Sequence, residues 1–286
     1  MLCAVALGGC TPRPAPPGAP VAKPAEPVFP RFEDYPAAPE ETYAEGYFAT
    51  PTGLICTWAG DQPRCSGPLP GAPEGANTVA VRPDGSAWFM KEPAPTERPP
   101  LLPAGTRLAE GDVDCVVTAD STACRVKGQP AQGFVIGSAT TALTPVPRLP
   151  AKFPDPRQYV FDETKVSVKQ GSLSPLDAYF AVDGDLRCRI SSYSGVRASC
   201  RGPIPGRNDN VVSLDIGQLA WSTSDSTKDP DFAGTLPKLD QGRAVNGRDP
   251  AGWCIALYGG GVACSDDGGA GFVITPTDSW GFTDQK

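Results

Sequence analysis

Cysteine is the residue type in this chain whose number and spacing most directly imply chemistry. Of ten cysteines, eight form two matching sets of four, separated by 9, 50 and 9 residues in the first set and by 12, 54 and 10 in the second. Cysteines on either side of a turn lie opposite each other in a β-hairpin and can form a disulfide. Eight cysteines allow roughly a hundred pairings. We predict the four local ones: Cys56–Cys65, Cys115–Cys124, Cys188–Cys200 and Cys254–Cys264. Paired cysteines in this number indicate an oxidising compartment outside the cytoplasm.

The cysteine at position 10 stands in a different setting. A short apolar run leads into Leu7-Gly8-Gly9-Cys10, which resembles the signal of bacterial lipoproteins, where the cysteine after two small residues is acylated. No Lys or Arg precedes this segment, so the charged part of such a signal is missing and we expect the true start to lie upstream. Residues 1–10 are therefore predicted as a truncated lipoprotein signal that anchors the protein to the extracytoplasmic face of the cell membrane through Cys10.

The chain contains no histidine, which narrows the possible catalytic chemistry. Ser–His–Asp and Cys–His nucleophilic systems are excluded, together with zinc sites that need an imidazole ligand. Asp225, Asp229 and Asp231 carry oxygen ligands, but their spacing does not match a calcium loop, and we predict a surface loop there without metal or cofactor. Asp and Glu are plentiful, so a hydrolase that uses a pair of carboxylates remains the enzymatic alternative.

A group of arginines surrounds the Cys188–Cys200 hairpin and is the one candidate anion-binding site. Arg187 and Arg189 alternate with Cys188 and share one face of a strand, and guanidinium groups suit phosphate or carboxylate. The competing interpretation is a solvated face whose arginines pair with nearby carboxylates. The full candidate set is Arg187, Arg189, Arg197, Arg201 and Arg207.

Three tryptophans, Trp58, Trp253 and Trp280, have no partner in the repeat described next. Unmatched aromatic side chains can stack on sugars or dock a protein. Large aromatic side chains are more often buried, however, and we favour packing in the core.

Sequence matches beyond the cysteines predict an internal duplication, at a shift that drifts from 132 to 140 residues through loop insertions. Such matches in one order over a hundred residues indicate two copies of one structural unit. The matched segments include Phe48-Ala49 with Phe180-Ala181, Ala87-Trp88 with Ala220-Trp221, Leu102-Pro103 with Leu236-Pro237, and Gly133-Phe134-Val135-Ile136 with Gly271-Phe272-Val273-Ile274.

The fold class predicted from these patterns is all-β, with two tandem duplicated, disulfide-stapled antiparallel β-domains. Short β-branched and aromatic runs alternate with turn residues, and the spacing of an amphipathic helix is scarce. Proline-rich stretches flank the two copies and predict extended segments. The predicted divisions are a disordered tether over 11–40, the first β-domain over 41–141, a linker over 142–158 and the second β-domain over 159–286.

One family resemblance can be drawn from the first copy. Phe48-Ala-Thr-Pro-Thr-Gly-Leu-Ile-Cys56, Arg64-Cys65, Leu102-Pro-Ala-Gly105 and Gly133-Phe134 resemble the pattern of uncharacterised secreted or lipid-anchored actinobacterial proteins. The resemblance covers most of 46–137 and, more loosely, 178–275. In the second copy, Asp183-Gly184-Asp185 replaces the Pro-Thr-Gly turn, and Leu236-Pro237 lacks the following glycine. The resemblance implies export and anchoring and brings no activity with it.

The function expected from the sequence is a non-catalytic binding or structural role in the cell envelope. The partners expected are the membrane, through the lipid anchor, and an envelope glycan, lipid head group or protein. With a formal net charge of −7, the chain lacks the basic surface that nucleic acid requires. The alternatives are a carboxylate-dependent hydrolase acting on envelope carbohydrate, and a lipid carrier with an apolar cavity.

Overall fold

The computed structural model confirms the predicted all-β class. It describes residues 24–43, 46–59, 62–82, 86–128, 132–145, 149–162, 167–169, 177–191, 196–224, 232, 234–246, 252–266 and 269–283. Within these residues the chain forms 22 strands and three short 3-10 turns. The predicted signal with Cys10 and the cluster of Asp225, Asp229 and Asp231 lie outside the described residues.

The strands divide between the two copies. The first ten are β1 (Phe48–Ala49), β2 (Ile55–Ala59), β3 (Gln62–Ser66), β4 (Thr78–Val81), β5 (Ala87–Met90), β6 (Thr106–Glu110), β7 (Val113–Val117), β8 (Thr122–Val126), β9 (Gln132–Ile136) and β10 (Thr141–Leu143). The remaining twelve are β11 (Val160–Phe161), β12 (Ser167–Lys169), β13 (Asp177–Val182), β14 (Leu186–Ile190), β15 (Val196–Arg201), β16 (Val211–Asp215), β17 (Gln218–Ser222), β18 (Arg243–Asn246), β19 (Trp253–Ala256), β20 (Val262–Ser265), β21 (Gly271–Ile274) and β22 (Ser279–Phe282).

Each copy is a sandwich of two antiparallel meanders. In the first copy, β1–β5 form one meander and β6–β10 the other. In the second copy, β13–β17 and β18–β22 repeat that arrangement. The inward-facing residues of both meanders form one apolar core per copy, because side chains alternate between the two faces of each strand. The same strand order in both copies agrees with the predicted duplication.

The four predicted disulfides are confirmed. Each joins directly opposed residues of one hairpin, β2–β3, β7–β8, β14–β15 or β19–β20, with Cα atoms 4.1 Å apart. All eight cysteines are buried in the two sandwich cores. Opposed residues without mutual hydrogen bonds lie at about this Cα distance in antiparallel pairs, roughly 4.5 Å. Each disulfide closes a short loop and stabilises the fold by about 2–3 kcal/mol in the chain-entropy model.

The two copies share one continuous sheet, which the sequence did not predict. Strand β11 pairs in parallel with β5 of the first copy and with β18 of the second. The first meander of copy one and the second meander of copy two thereby become a single sheet of eleven strands.

An aromatic cluster packs against that sheet at the junction. Trp88 from the first copy lies with its ring centroid 3.8 Å from that of Phe161 and 5.1 Å from that of Trp253. Phe153 packs edge-on against Trp253 at 5.5 Å. The two copies are therefore held together by a buried apolar interface in addition to their backbone connection.

The prediction that residues 142–158 form only a linker between the two domains is wrong. Its first two residues belong to β10, and Phe153 is buried in the junction cluster. The guanidinium of Arg157, which is only 4% exposed, donates to the carbonyl oxygen of Leu143 at 3.0 Å and to the carboxylate of Asp155. These bonds hold the described part of the segment to the end of the first sandwich.

The predicted tether over 11–40 also ends earlier than expected. Phe32 is fully buried against Val116 and Ala123 on the outer face of the β6–β10 meander. Arg125 lies over the ring of Phe32 at 4.0 Å and donates to the carboxylate of Glu33 at 2.8 Å. The described residues before β1 therefore form a folded arm, and the proline content alone was a poor guide to their structure.

This arm has a counterpart in the second copy. Phe29-Pro30 and Tyr35 recur as Phe153-Pro154 and Tyr159, and each segment contains one 3-10 turn. After the turn, the arm pairs in parallel with β6 through Ala37, as β11 pairs with β18. The repeating unit therefore runs from 29 to 143 and from 153 to 282, which we call the first unit and the second unit.

Two of the sequence matches are corrected by the strand register. Trp221 lies opposite Val212 as Phe89 lies opposite Val79, so Trp221 corresponds to Phe89, and Trp88 corresponds to the exposed Ala220. The predicted match of Ala87-Trp88 with Ala220-Trp221 is one residue out. The two strands are aligned by their pairing rather than by the shared dipeptide.

The second correction concerns the segment before β6 and β18. Leu102 donates its N–H to the carbonyl of Ala49, and Leu239 donates to that of Ala181. Leu102-Pro-Ala-Gly105 therefore corresponds to Leu239-Asp-Gln-Gly242, and the predicted match with Leu236-Pro237 is wrong. The glycine that the second copy was thought to lack is present as Gly242.

Two of the three unmatched tryptophans are buried, as the packing interpretation predicted, and the third is half-buried. Trp58 lies in the first core and Trp253 in the junction cluster, both buried. Trp280 is half-buried and packs at the edge of the same cluster, with its ring centroid 6.3 Å from that of Phe153.

Candidate functional site

The predicted arginine group divides over three places in the second unit. Arg187 and Arg201 lie directly opposite each other on β14 and β15, and Arg189 follows on the same outer face. Arg207 lies outside the strands, after β15, where it pairs with Asp209 at 3.3 Å.

The three arginines of the outer face all contact other parts of the chain. Arg187 donates to the backbone oxygens of Phe232 and Gly234. Arg189 lies 3.8 Å from a carboxylate oxygen of Asp177, and Arg201 packs over the ring of Phe232 at 4.8 Å. These contacts hold the segment around Phe232 against the sheet.

The remaining two arginines add no further member to that face. Arg207 packs over the ring of Trp221 with its guanidinium carbon 4.0 Å from the ring centroid. Arg197 is half-buried, and its Cβ lies close to Gly252. The contacts of the group are those of a structural role, and anion binding stays a prediction.

A concave site lies at one end of the second sandwich, where loops between its strands meet. We call it the loop cleft. It has a volume of about 460 Å³, within the range of small-molecule sites, roughly 300–1,000 Å³. Its lining residues are Asp183, Gly184, Leu186, Pro203, Pro205, Gln241, Gly259, Gly260, Gly261, Ile274, Thr275 and Pro276.

A chain of hydrogen bonds orients the polar groups of the loop cleft. The ammonium group of Lys238 lies 2.6 Å from one carboxylate oxygen of Asp183, and the amide of Gln241 donates to the other at 2.8 Å. The side-chain oxygen of Gln241 in turn accepts the backbone N–H of Gly259 at 3.0 Å. Asp183 and Gln241 each have two partners that orient them, which lowers the cost of ordering them around a ligand.

The same bonds keep the carboxylate charged. Hydrogen bonds from Lys238, and then from Gln241, hold the pKa of Asp183 below its ordinary value of 3.8. The Asp183 carboxylate likewise raises the pKa of Lys238 above 10.5. At neutral pH Asp183 and Lys238 are therefore both charged and form an ion pair beside the cleft.

Glycine backbone forms one wall of the loop cleft. Gly259, Gly260 and Gly261 all have positive φ, between 88° and 101°, a region that residues with a Cβ rarely adopt. A Cβ on Gly261 would lie 2.1 Å from the carbonyl oxygen of Ile274. Three consecutive glycines therefore bring bare peptide groups to the cleft, where larger residues would fill it or strain the turn.

One non-glycine residue beside the cleft has a strained backbone. Asp185, in the turn between β13 and β14, has φ of 58° and is the one described non-glycine residue in the left-handed region. The corresponding residue of the first unit is Gly53, with φ of 84°. The second unit thus keeps a carboxylate at a position where glycine costs less, and such exceptions are concentrated at functional sites.

The polar network of the loop cleft is confined to the second unit. Strand pairing aligns Asp183 with Pro51, because Ala49 and Ala181 make equivalent bonds to the segments before β6 and β18. The same alignment matches Lys238 with Leu101 and Gln241 with Ala104. Three apolar residues of the first unit thus correspond to three mutually bonded polar residues.

The turn between β7 and β8 differs from its glycine counterpart in the same way. In the first unit it is Thr118-Ala-Asp-Ser121, and its side chains bond each other, with Thr118 Oγ1 2.8 Å from Asp120 Oδ1 and 2.7 Å from Ser121 Oγ. The end of the first unit that corresponds to the cleft is therefore built differently at both places.

Sequence reasoning missed this site. Asp183-Gly184-Asp185 was interpreted only as the replacement for a turn, and the positive φ of Gly184 and Asp185 confirms a turn there. The missing information was the alignment of Asp183 with Pro51 and of Gln241 with Ala104, which the incorrect match at Leu236-Pro237 concealed.

Neither metal-ligand clusters, nor membrane-spanning helices, nor known relatives assign a function to the described part of the chain. Among the described residues, no group of three or more His, Cys, Asp or Glu is placed to hold a metal ion. No helix in the described part of the chain is long and apolar enough to cross a bilayer. Comparison with known proteins returns no matching family model, no matching curated protein and no matching solved structure.

Proposed function

We propose that the protein is a lipid-anchored component of a bacterial cell envelope, with a non-catalytic binding role that uses the loop cleft of the second unit. The four disulfides suit an oxidising compartment. The lipoprotein-like segment ending at Cys10 supplies the anchor. The binding role rests on one observation above all, the polar network around Asp183.

The network supports binding because it appears in one of two otherwise similar units. The first sandwich folds with Pro51, Leu101 and Ala104 exposed at these positions. Their polar counterparts are therefore not required by the fold. Residues that converge on a concave surface without being needed for packing are candidates for ligand contacts.

The shared sheet supports a role in which the cleft is presented at a fixed position. Because β11 joins the two units, the first unit is a rigid base for the second. Residues 11–23 connect Cys10 to the described part of the chain. The cleft lies in the second unit, so the first unit holds it at a fixed position.

Neither alternative gains an observation of its own. A carboxylate-dependent hydrolase needs two carboxyl groups facing each other across the substrate, and Asp183 is the one carboxylate among the residues that line the cleft. A lipid carrier needs an apolar cavity, whereas Trp88, Phe153 and Trp253 fill the junction between the units.

Two linked measurements test the proposal. Wild-type protein and the Cys10→Ala variant are expressed in a bacterial host with oxidative export, and the membrane and soluble fractions are compared. We expect the wild type in the membrane fraction and the variant released. Equal membrane retention of both would overturn the anchor.

The released full chain is then sedimented with isolated cell envelopes that have been stripped of protein. We expect it to co-sediment, and the Asp183→Ala variant to stay in solution. The matched control is Asp120→Ala, in the first-unit turn that corresponds to the glycine wall of the cleft, which should co-sediment like the parent. Failure of the parent chain to bind any envelope fraction would refute the binding role.

A further inference from the structure

We infer that the loop cleft binds a neutral saccharide, through a pair of neighbouring hydroxyl groups that contact Asp183 and Gln241. The inference rests on the proposed binding function and adds the chemical class of the ligand. The charge of the cleft, the hydrogen-bonding capacity left in its network and the shape of its walls each support this class.

The charge of the cleft argues against an ionic ligand. Asp183 is paired with Lys238 at 2.6 Å, so a ligand carboxylate or phosphate would meet an opposing carboxylate. A ligand cation would compete with Lys238 for the same oxygens. A hydroxyl group has neither difficulty, since it can donate to Asp183 without a change in net charge.

The remaining hydrogen-bonding capacity suits a diol. A carboxylate accepts about four hydrogen bonds, and the bonds of Asp183 are those to Lys238 and Gln241. The side chain of Asp183 is 36% exposed, so its other acceptor sites can be reached. The Gln241 amide nitrogen carries a second N–H next to them. An acceptor and a donor therefore lie side by side, and adjacent hydroxyl groups of a sugar ring can use both.

The walls of the cleft match the other faces of a sugar ring. Pro203, Pro205 and Pro276 present rigid C–H surfaces, with Leu186 and Ile274 beneath them. A sugar ring carries axial C–H groups on its faces and hydroxyl groups at its edge. Burial of those C–H groups against proline and aliphatic carbon is favourable, while the glycine wall leaves room for the ring edge.

The test uses the full chain and saturation-transfer NMR. The probes are neutral disaccharides of hexoses and pentoses, with glucuronic acid and glucosamine as charged comparators, all at millimolar concentration. We expect saturation transfer to at least one neutral disaccharide. Asp183→Ala should weaken that binding about tenfold or more, because a hydrogen bond to a charged group is lost. Asp120→Ala, the control in the first unit, should leave the affinity unchanged.

A variant that is expected to gain affinity complements Asp183→Ala, in which a loss of binding could also come from misfolding. Lys238→Met leaves the Asp183 carboxylate uncompensated, so the affinity for glucosamine should rise while that for glucuronic acid stays undetectable. Retention of the wild-type amide spectrum shows that each variant is folded.

Three results would overturn the inference: no binding of any neutral saccharide, tighter binding of glucuronic acid than of every neutral probe, or saccharide binding that survives Asp183→Ala. The envelope sedimentation described above separates this failure from failure of the proposed function. If Asp183-dependent envelope binding persists without saccharide binding, the ligand is of another class, such as a lipid head group, and the binding role stands. If neither is observed, both proposals are wrong.

Discussion

Replacing Trp88 with alanine should make the two units unfold independently of each other. The side chain is 2% exposed and touches both Phe161 and Trp253 across the junction. Truncation of a buried aromatic residue typically costs 3–5 kcal/mol, and each aromatic pair contributes about 0.5–1.5 kcal/mol beyond area burial. We therefore expect Trp88→Ala to lose about 4 kcal/mol of unfolding free energy.

The loss should fall on the coupling between the units rather than on either core, because Trp88 faces the junction cluster and not the first core. Urea unfolding, followed by tryptophan fluorescence and far-ultraviolet circular dichroism, tests this. We expect one cooperative transition for the wild type and two transitions for the variant. The control is Trp221→Ala. Trp221 is half-exposed at the edge of the second core and should cost about 1–2 kcal/mol without splitting the transition.

A single transition at an unchanged midpoint in Trp88→Ala would refute the reasoning. It would mean that the backbone bonds of β11 hold the units together without the aromatic cluster. A midpoint shift as large for Trp221→Ala as for Trp88→Ala would also contradict it, since the effect would then not depend on the junction.

Three further predictions concern the staples, the arm and the cleft. Peptide mapping without reduction should recover a Cys115–Cys124 link, and a link between Cys124 and any other cysteine would show that the pairing is not local. Phe32→Ala should destabilise the first unit by about 3 kcal/mol in urea unfolding, whereas no change would mean that the arm is not part of the fold. Because the pKa of Asp183 is depressed in the folded protein, its contribution to stability is present at neutral pH and is lost as pH falls below 3.8 through the folded value. Carbon-detected NMR should show a depressed Asp183 pKa that returns towards 3.8 in Lys238→Met, and an ordinary pKa in the wild type would contradict the network.

The features predicted correctly from the sequence were those that depend on residues close to each other in the chain. Cys56 and Cys65 lie nine residues apart on either side of one turn, so the pairing follows from hairpin geometry. The alternation of apolar and turn residues likewise indicates strands wherever they occur. The all-β class and the disulfides needed no knowledge of distant contacts.

The folded arm and the packed part of the linker were missed because the prediction relied on their proline content and not on the repeated positions of their aromatic residues. Proline-rich segments usually lack the apolar surface to fold, yet Phe32 and Phe153 each bury against a finished sheet. The repeated Phe29-Pro30 and Phe153-Pro154 were visible in the sequence. Their shift of 124 residues lies outside the range of the other matches, because the insertions in the second unit follow this segment.

The cleft was missed for a different reason. Asp183 and Gln241 lie 58 residues apart and meet because the segment before β18 pairs with β13. Turn residues such as glycine and aspartate have the same local signature whether a turn faces a ligand or solvent. A functional interpretation needed the comparison of the two units position by position, which only the strand register provides.

The comparison of the two units position by position also shows how the outer surface of each unit differs from the junction where the units meet. At the junction, Trp253 precedes Cys254 and receives Trp88. In the first unit the residue before the equivalent cysteine is Asp114, which is buried and bonded to Arg125 at 3.0 Å.

At the other end of the pair, the position of Trp88 is taken by the exposed Ala220. A third unit docked at Asp114 would have to displace the ion pair between Asp114 and Arg125, and one docked at Ala220 would find no aromatic anchor. An uncompensated buried charge costs several kcal/mol, so the substitutions at the two outer surfaces disfavour further stacking. Neither outer surface therefore offers the aromatic pair, Trp88 and Trp253, through which the two units pack against each other.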